Sequence, residues 1–252
     1  MTVLELAQAF DGLYPRALSA EWDNDGLLVS ADPTREVHRI LTALDVTNKV
    51  LDVAEENGFD VIITHHPLIF KPIANAVAGN GVGGLVARAL AKGISILSYH
   101  TRADAASGGV SDLLCRLLGL LDVSPFADGV PRIGRLASPM SCLEFARHVK
   151  RATGAPFVRL GGSDRAVSKV ALCSGSGDDY IKDASDAGAD LYLSGELGYH
   201  ALLDADHFGL ALLEIGHDYS EMQITGALAA AARRFCPGAK VTELPDFGVR
   251  TL

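Results

Sequence analysis

The sequence predicts an α/β protein built as two similar α/β domains, and three observations carry that reading. A strand–helix–strand pattern occurs twice at a constant offset. Its apolar runs are short and nearly continuous, as in strands covered on both faces of a parallel sheet. Each half then closes on a strand that runs into a His, with a carboxylate four residues later.

The N-terminal stretch MTVLELAQAF reads as an amphipathic helix with Glu5 in its first turn, and no basic leader precedes it. Residues 40–66 read ILTALDVTNKVLDVAEENGFDVIITHH, and residues 170–196 read VALCSGSGDDYIKDASDAGADLYLSGE. The offset of 130 pairs Ala54 with Ala184, Gly58 with Gly188 and Asp60 with Asp190 without a gap. Each copy has a strand, a turn, a helix ending at a Gly suited to a left-handed C-terminus, and a second strand, VIIT or LYLS. Such a connection predicts a right-handed crossover between parallel neighbours. Third strands follow in GISILSYH (93–100) and GLALLEIGH (209–217), with Asp104 and Glu221 four residues beyond their His. Two halves with the same order of elements predict an internal duplication. The Gly- and Pro-rich segment 122–138 sets the boundary, giving a first domain over 1–125 and a second over 126–252. The C-terminal segment is placed to pack back on the first domain.

Composition narrows the function classes. Hydrophobic residues at 48% and charged residues at 21% are those of an ordinary globular chain with a substantial core. No apolar stretch is long enough to span a bilayer. The four cysteines lie far apart, with no C-x-x-C pair, and read as reduced buried thiols. These features predict a cytoplasmic protein with no membrane partner. A net charge of −9 argues against general nucleic-acid binding, which needs a basic surface to displace counterions.

Functional groups in open α/β sheets collect beyond the C-terminal ends of the strands. Here the strand ends deliver His65 and His66 in VIITHHPLIF, His100 and Asp104 in SYHTRAD, and His217 and Glu221 in LLEIGHDYSE. Imidazole mixed with carboxylate suits Zn, Fe, Mn or Co better than Mg or Ca. Adjacent imidazoles on a turn are expected to diverge and so to serve two ions, with Glu221 bridging them. Paired ions about 3.5–4 Å apart activate water for hydrolysis. His100 is either a ligand or a group that orients one, and His38 and His148 are read as without a role.

Three further segments invite a functional reading. EWDNDGLLVS (21–30) is either a turn anchored by the only Trp or a wall of the site on which Asn24 binds substrate. CSGSGDDYI (173–181) offers Ser174, Ser176 and backbone amides to an anion, although Asp178 and Asp179 would repel one. Glu196 and His200, four apart, sit at the strand end equivalent to His66 and are assigned to orienting or acid–base work.

Taken in order, WDNDGLLV, THHPLIF, YHTRADAA, CSGSGDDYI, SGELGYHALLDA and GHDYSE resemble the GTP cyclohydrolase type I class 2 family, also called the Nif-three-like or YbgI-like proteins. The resemblance covers nearly the whole chain. It implies a dinuclear metal site in the cleft between the two domains, with ligands His65, His66, Asp104, His217 and Glu221 and with His100 nearby. It also implies a homohexamer, a trimer of dimers, in a short form without an inserted domain. HTRAD stands where relatives commonly carry an Asn-Leu pair before the Asp, so Arg102 adds a positive charge suited to an anionic substrate.

The leading functional expectation is a hydrolase with two divalent ions per chain, Zn, Fe or Mn. Its partner would be a nucleotide or another small phosphorylated molecule, with Glu221 bridging the ions and His100 handling a proton. The alternative is a non-catalytic metal-binding ring that presents surfaces to protein partners. A ring that binds single-stranded nucleic acid is a third reading, and the acidic charge gives it no support.

Overall fold

The computed structural model describes residues 1–77, 79 and 81–245. From the N-terminus the chain forms α1 (Val3–Leu13), β1 (Gly26–Val29), β2 (Arg39–Ala43), α2 (Asn48–Glu56), β3 (Val61–Thr64), α3 (Gly81–Lys92), β4 (Ser95–Ser98) and α4 (Thr101–Ala105). It continues through α5 (Val110–Leu118), β5 (Leu121–Pro125), β6 (Arg132–Ser141), α6 (Cys142–Thr153), β7 (Arg159–Gly161) and β8 (Ala166–Ser176). Then follow α7 (Ile181–Asp186), β9 (Leu191–Glu196), α8 (Tyr199–Leu203), β10 (Ala211–Glu214), α9 (His217–Glu221), α10 (Gln223–Phe235) and β11 (Lys240–Glu243).

The chain divides into two compact units. The first is Met1–Ala103 together with the segment that begins at Ile224; the second is Asp104–Gln223. The first sheet has the order β1-β4-β3-β2-β11, with β1 antiparallel and the other neighbours parallel. The second has the order β5-β6-β8-β9-β10-β7, parallel only from β8 to β10. The expected break at 125/126 is not where the units part. The Gly/Pro stretch instead builds the antiparallel pair β5–β6, whose residues pair across a turn inside the second sheet. Parting falls inside α4 and at the start of α10, and Asp104 belongs to the second unit. Each three-strand copy thus passes its trailing segment to the other unit: α5 and β5 follow β4 into the second, while α10 and β11 follow β10 into the first. The C-terminal strand accordingly pairs with β2.

The repeat is visible at the level of single hydrogen bonds. Ile40 pairs with Val61 and Thr42 with Ile63, and 130 residues on Val170 pairs with Leu191 and Leu172 with Leu193. The Asp60 carboxylate accepts from the amides of His38 and Arg39 at 2.8 and 2.9 Å. Asp190 accepts from Ser168 and Lys169, both at 2.8 Å. Gly58 and Gly188 both end their helices at positive φ, +62° and +73°. The likeness reaches beyond the segments aligned above, because β1 and β7 each precede their copy and each lie antiparallel to its third strand. It fails at the His-x-x-x-carboxylate spacing. In register Ser95 corresponds to Ala211, each bonded through its amide to the carbonyl of Asp60 or Asp190. That places Thr101, and not His100, opposite His217, and each of these residues opens its short helix.

Packing follows from the strand patterns. In the second unit Val170, Leu172, Leu191 and Leu193 face residues of α5 and α6 such as Leu114 and Phe145, while Ala171, Cys173 and Tyr192 face Ile181, Ala184 and Leu202. Both faces of the central strands are therefore covered, which is why the runs do not alternate. In the first unit Leu41, Ile62 and Ile96 meet Val50, Ala54, Val86 and Ala89. Phe10 of α1 stacks on Tyr99 at 5.0 Å and meets Phe235 edge-on at 5.3 Å. All four cysteines are buried and free. Among the described residues no helix is long and apolar enough to cross a membrane.

Removing the Asp60 or the Asp190 carboxylate leaves two strand amides without their acceptor. Asp60→Ala and Asp190→Ala are each expected to lower unfolding stability by about 2 kcal/mol, measured by urea denaturation. Losses under about 0.5 kcal/mol, the range of ordinary surface changes, would show that strand register is held elsewhere.

Candidate metal centre

In the first unit β3 and β4 end in step, Thr64 opposite Ser98, so that His65, His66 and His100 leave adjacent strand ends together. Thr64 Oγ1 donates to the His66 carbonyl at 2.8 Å and lies 2.9 Å from Ser98 Oγ, which fixes the turn. Each imidazole is held through Nδ1. His65 Nδ1 donates to the Tyr99 carbonyl, His66 Nδ1 to Asp45 and His100 Nδ1 to Asp23, all at 2.9 Å. These acceptors fix the tautomer with the lone pair on Nε2, the arrangement of metal-binding imidazoles backed by a carbonyl or carboxylate. The His65 and His66 rings lie 4.9 Å apart with their planes tilted by 47°. One potential ligand atom from each of His65, His66 and His100 lies within 4.8 Å of the other two. Converging nitrogen donors of this kind fit a transition-metal ion or zinc.

The backing of His100 is the most elaborate. The Asp23 carboxylate is fully buried. Its second oxygen accepts from the Thr101 amide at 3.0 Å and hydroxyl at 2.6 Å, so it also caps the start of α4. Burial raises the Asp23 carboxyl, but the hydrogen bonds from His100 and Thr101 outweigh that and hold it well below the usual carboxylate range.

The second unit carries a carboxylate-rich counterpart. His217 and Glu221, one turn apart on α9, approach to 3.2 Å through Nε2, and Glu196 at the end of β9 lies 3.4 Å from His217 Nδ1. Glu221 is buried. Burial, and then the negative charges of Asp104 and Glu221, push the Cys173 thiol well above its ordinary range, so it stays a neutral packing group.

Four residues expected to bind substrate are engaged elsewhere. Arg102 is fully buried: it bonds Asp25 at 3.0 Å, Asp11 at 2.7 Å and the Tyr14 carbonyl at 3.0 Å, with its guanidinium 4.6 Å from the Tyr99 ring centre. It ties α4 to α1 and to the loop before β1, and it presents no charge to a substrate. Asn24 Nδ2 donates to the Ile69 carbonyl, which ties the EWDND loop to the HHPLIF loop. Ser174 Oγ lies 3.1 Å from Ser111 Oγ, and Ser176 Oγ donates to Glu196 at 2.8 Å. The amides of the Gly-Ser turn are also spent, with Gly175 N donating to Ser220 Oγ and Gly177 N to the Glu196 carbonyl. His200 lies exposed on α8.

The sequence profile of Duf34/NIF3 (NGG1p interacting factor 3) matches residues 1–244. The chain belongs to the Duf34/NIF3 family. A Clostridium perfringens relative named GTP cyclohydrolase 1 type 2 homolog is 32% identical over 232 residues, 89% of this chain and 88% of that one. A Schizosaccharomyces pombe relative named Protein NIF3 homolog is 31% identical, covering 86% and 84%. Among solved structures, the hypothetical protein SA1388 of Staphylococcus aureus superposes with a TM-score of 0.92 at 26% identity, covering 100% of this chain and 99% of that one. Reduced HcgD from Methanocaldococcus jannaschii gives 0.83 at 27% identity and 98% of each chain.

This Duf34/NIF3 chain has functional positions that inspection of its sequence missed. Asp23 and Asp45 were legible only as acids near turns, because the imidazoles they hold are 77 and 21 residues away. Gly175, in the turn whose amides the sequence offers to an anion, and Gly195 both serve protein packing. A Cβ on Gly175, at φ +67°, would lie 2.5 Å from Glu221 Oε1, and one on Gly195 would lie 2.9 Å from the His217 Cα. The two glycines let α9 and its carboxylate settle onto the strand ends.

Asp45→Asn is expected to weaken zinc binding about 10- to 100-fold, read by competition with a chromogenic chelator; unchanged affinity would reduce Asp45 to a surface acid. Gly175→Ala should cost about 1–3 kcal/mol from the left-handed backbone alone and displace the Glu221 carboxylate. Thermal unfolding and a crystal structure of the variant would check both effects.

Proposed function

We propose that the chain is a dinuclear metal-dependent hydrolase acting on a nucleotide or another small phosphorylated molecule. The observation that carries this reading is the tautomer-fixing Nδ1 bond on each of His65, His66 and His100. Imidazoles that merely pack do not need three separate acceptors that all turn Nε2 toward one small volume. In this reading His65, His66, Asp104, His217 and Glu221 would hold two divalent ions. The two copies arise from an internal duplication, and α4 joins the half-sites covalently, with Asp104 one turn beyond His100.

Bound ions would acidify a water and neutralise charge on the oxygens of a phosphoester. His100 would move a proton at Nε2, with Asp23 holding its ring and stabilising the charged form. The relatives' printed name, GTP cyclohydrolase 1 type 2 homolog, supports a nucleotide as the substrate class. A cytoplasmic homohexamer is part of the same proposal, and mass photometry tests its size.

The second reading, a metal-holding scaffold for protein partners, draws support from the family's description as an interacting factor. One experiment separates the two. Protein purified without added metal is expected to hold about two equivalents per chain, with a clear loss in His65→Ala and Glu221→Ala, and to hydrolyse at least one member of a nucleotide and phosphoester panel. Metal content unchanged by both substitutions would overturn the metal site. Full metal with no turnover across the panel would favour the scaffold.

A further inference from the structure

The only Trp of the chain stands beside the imidazole cluster with most of its surface uncovered. Trp22 is 64% exposed, and Phe70, its edge-to-face neighbour at 5.9 Å, is 44% exposed. Both rings lie against the side of His100, at 6.2 and 6.0 Å between centres. Large aromatic side chains bury well in a core, and an exposed pair next to a polar cluster is what an interaction site leaves open.

The pair is built into the fold. Trp22 is followed by Asp23, whose carboxylate is buried against His100 and Thr101, and by Asn24, which bonds the Ile69 carbonyl directly before Phe70. Neighbouring bonds therefore hold both ring-bearing loops to each other and to the end of β4. A bound ring touching these two side chains would sit beside the His100 ring, whose centre is 6.2 and 6.0 Å from theirs.

We propose that Trp22 and Phe70 form a stacking subsite for a planar heteroaromatic ring, placing a substrate that carries such a ring beside His100. This deepens the hydrolase reading by naming the part of the substrate that the first unit grips. Stacking is sequence- and substituent-tolerant, since every such ring offers a π face. The subsite therefore sets a ring class and leaves finer choice to other contacts.

Because Trp22 is the only Trp, its fluorescence reports this place alone. Adenosine and guanosine, which carry a ring without phosphate, are titrated against the metal-loaded protein with red-edge excitation, and ribose 5-phosphate is the ringless comparison. A saturable change with a nucleoside and none with ribose 5-phosphate is expected. Phe70→Ala should weaken the nucleoside at least about fivefold, and Phe70→Leu, which keeps apolar bulk without a π face, should weaken it similarly. Trp22→Leu, followed by calorimetry, should do the same while keeping its metal content.

No saturable change with either nucleoside, or equal affinity in Phe70→Ala, would overturn the subsite even with the metal site intact. A change that depends on protein concentration alone would assign the rings to a contact between chains and overturn it equally. Nucleoside binding in protein that holds no metal would leave the subsite standing and sink the hydrolase reading alone.

Discussion

The structure depends on the parallel register of the central strands in each unit, and that register is held at its foot by a carboxylate, buried at Asp60 and half-buried at Asp190. Asp60 accepts from two amides of the chain entering β2, donates its own amide to the Arg39 carbonyl, and accepts the Ser95 amide through its carbonyl. One residue thus aligns β2, β3 and β4, and Asp190 does the same for β8, β9 and β10. With the strand starts aligned, Thr64 and Ser98 end opposite each other. The residues after them leave the sheet at one level. A slip of one residue would invert every side chain on the slipped strand and carry His65 and His66 out of line with His100.

Above that foundation, two buried acids only two residues apart divide the work of holding α4. Asp23 accepts from His100 and Thr101, and those bonds keep it ionised against its burial. Asp25 turns to Arg102; burial pushes its carboxyl up, with the guanidinium opposing that shift. A buried ion pair recovers its desolvation cost only with close geometry and further hydrogen bonds, and Arg102 has these from Asp11 and Tyr14. The positive charge near the imidazoles is therefore neutralised inside the fold. The strand end remains a nitrogen-donor surface suited to a cation.

What could be read in the sequence was whatever rests on local pattern. Apolar runs closed by Gly58 and Gly188 gave away the repeated strand–helix–strand unit, and the offset that aligned them is the offset of the observed strand register. The metal-ligand candidates were legible because strand ends carry function in this fold class. Partners distant in sequence were not legible. Nothing local in HTRAD tells that Arg102 reaches back 91 residues to Asp11, or that Asp23 holds a ring 77 residues on. The exchange of trailing segments is also long-range, and so the boundary drawn at the Gly/Pro stretch missed it. Gly175 misled for a different reason: phosphate cradles and tight helix packing both demand a missing Cβ, and only coordinates separate them.

The two copies differ where chemistry requires a difference. At the strand end that carries His66 in the first, the second carries Glu196, and Gly175 replaces Asp45. The first unit thus presents imidazoles, which add no negative charge, while the second places Glu196 and Glu221 around His217 and sets the charges of Asp104 and Glu221 beside Cys173. The two kinds of donor suit divalent ions in different ways. Neutral nitrogens select zinc and the transition metals over calcium and magnesium, and carboxylates offset the charge that would otherwise keep a second cation away. Two carboxylate copies would bind calcium or magnesium as readily as zinc. At position 196 the second copy thus carries an acid where the first carries an imidazole, the exchange that most changes the donor set of the strand end.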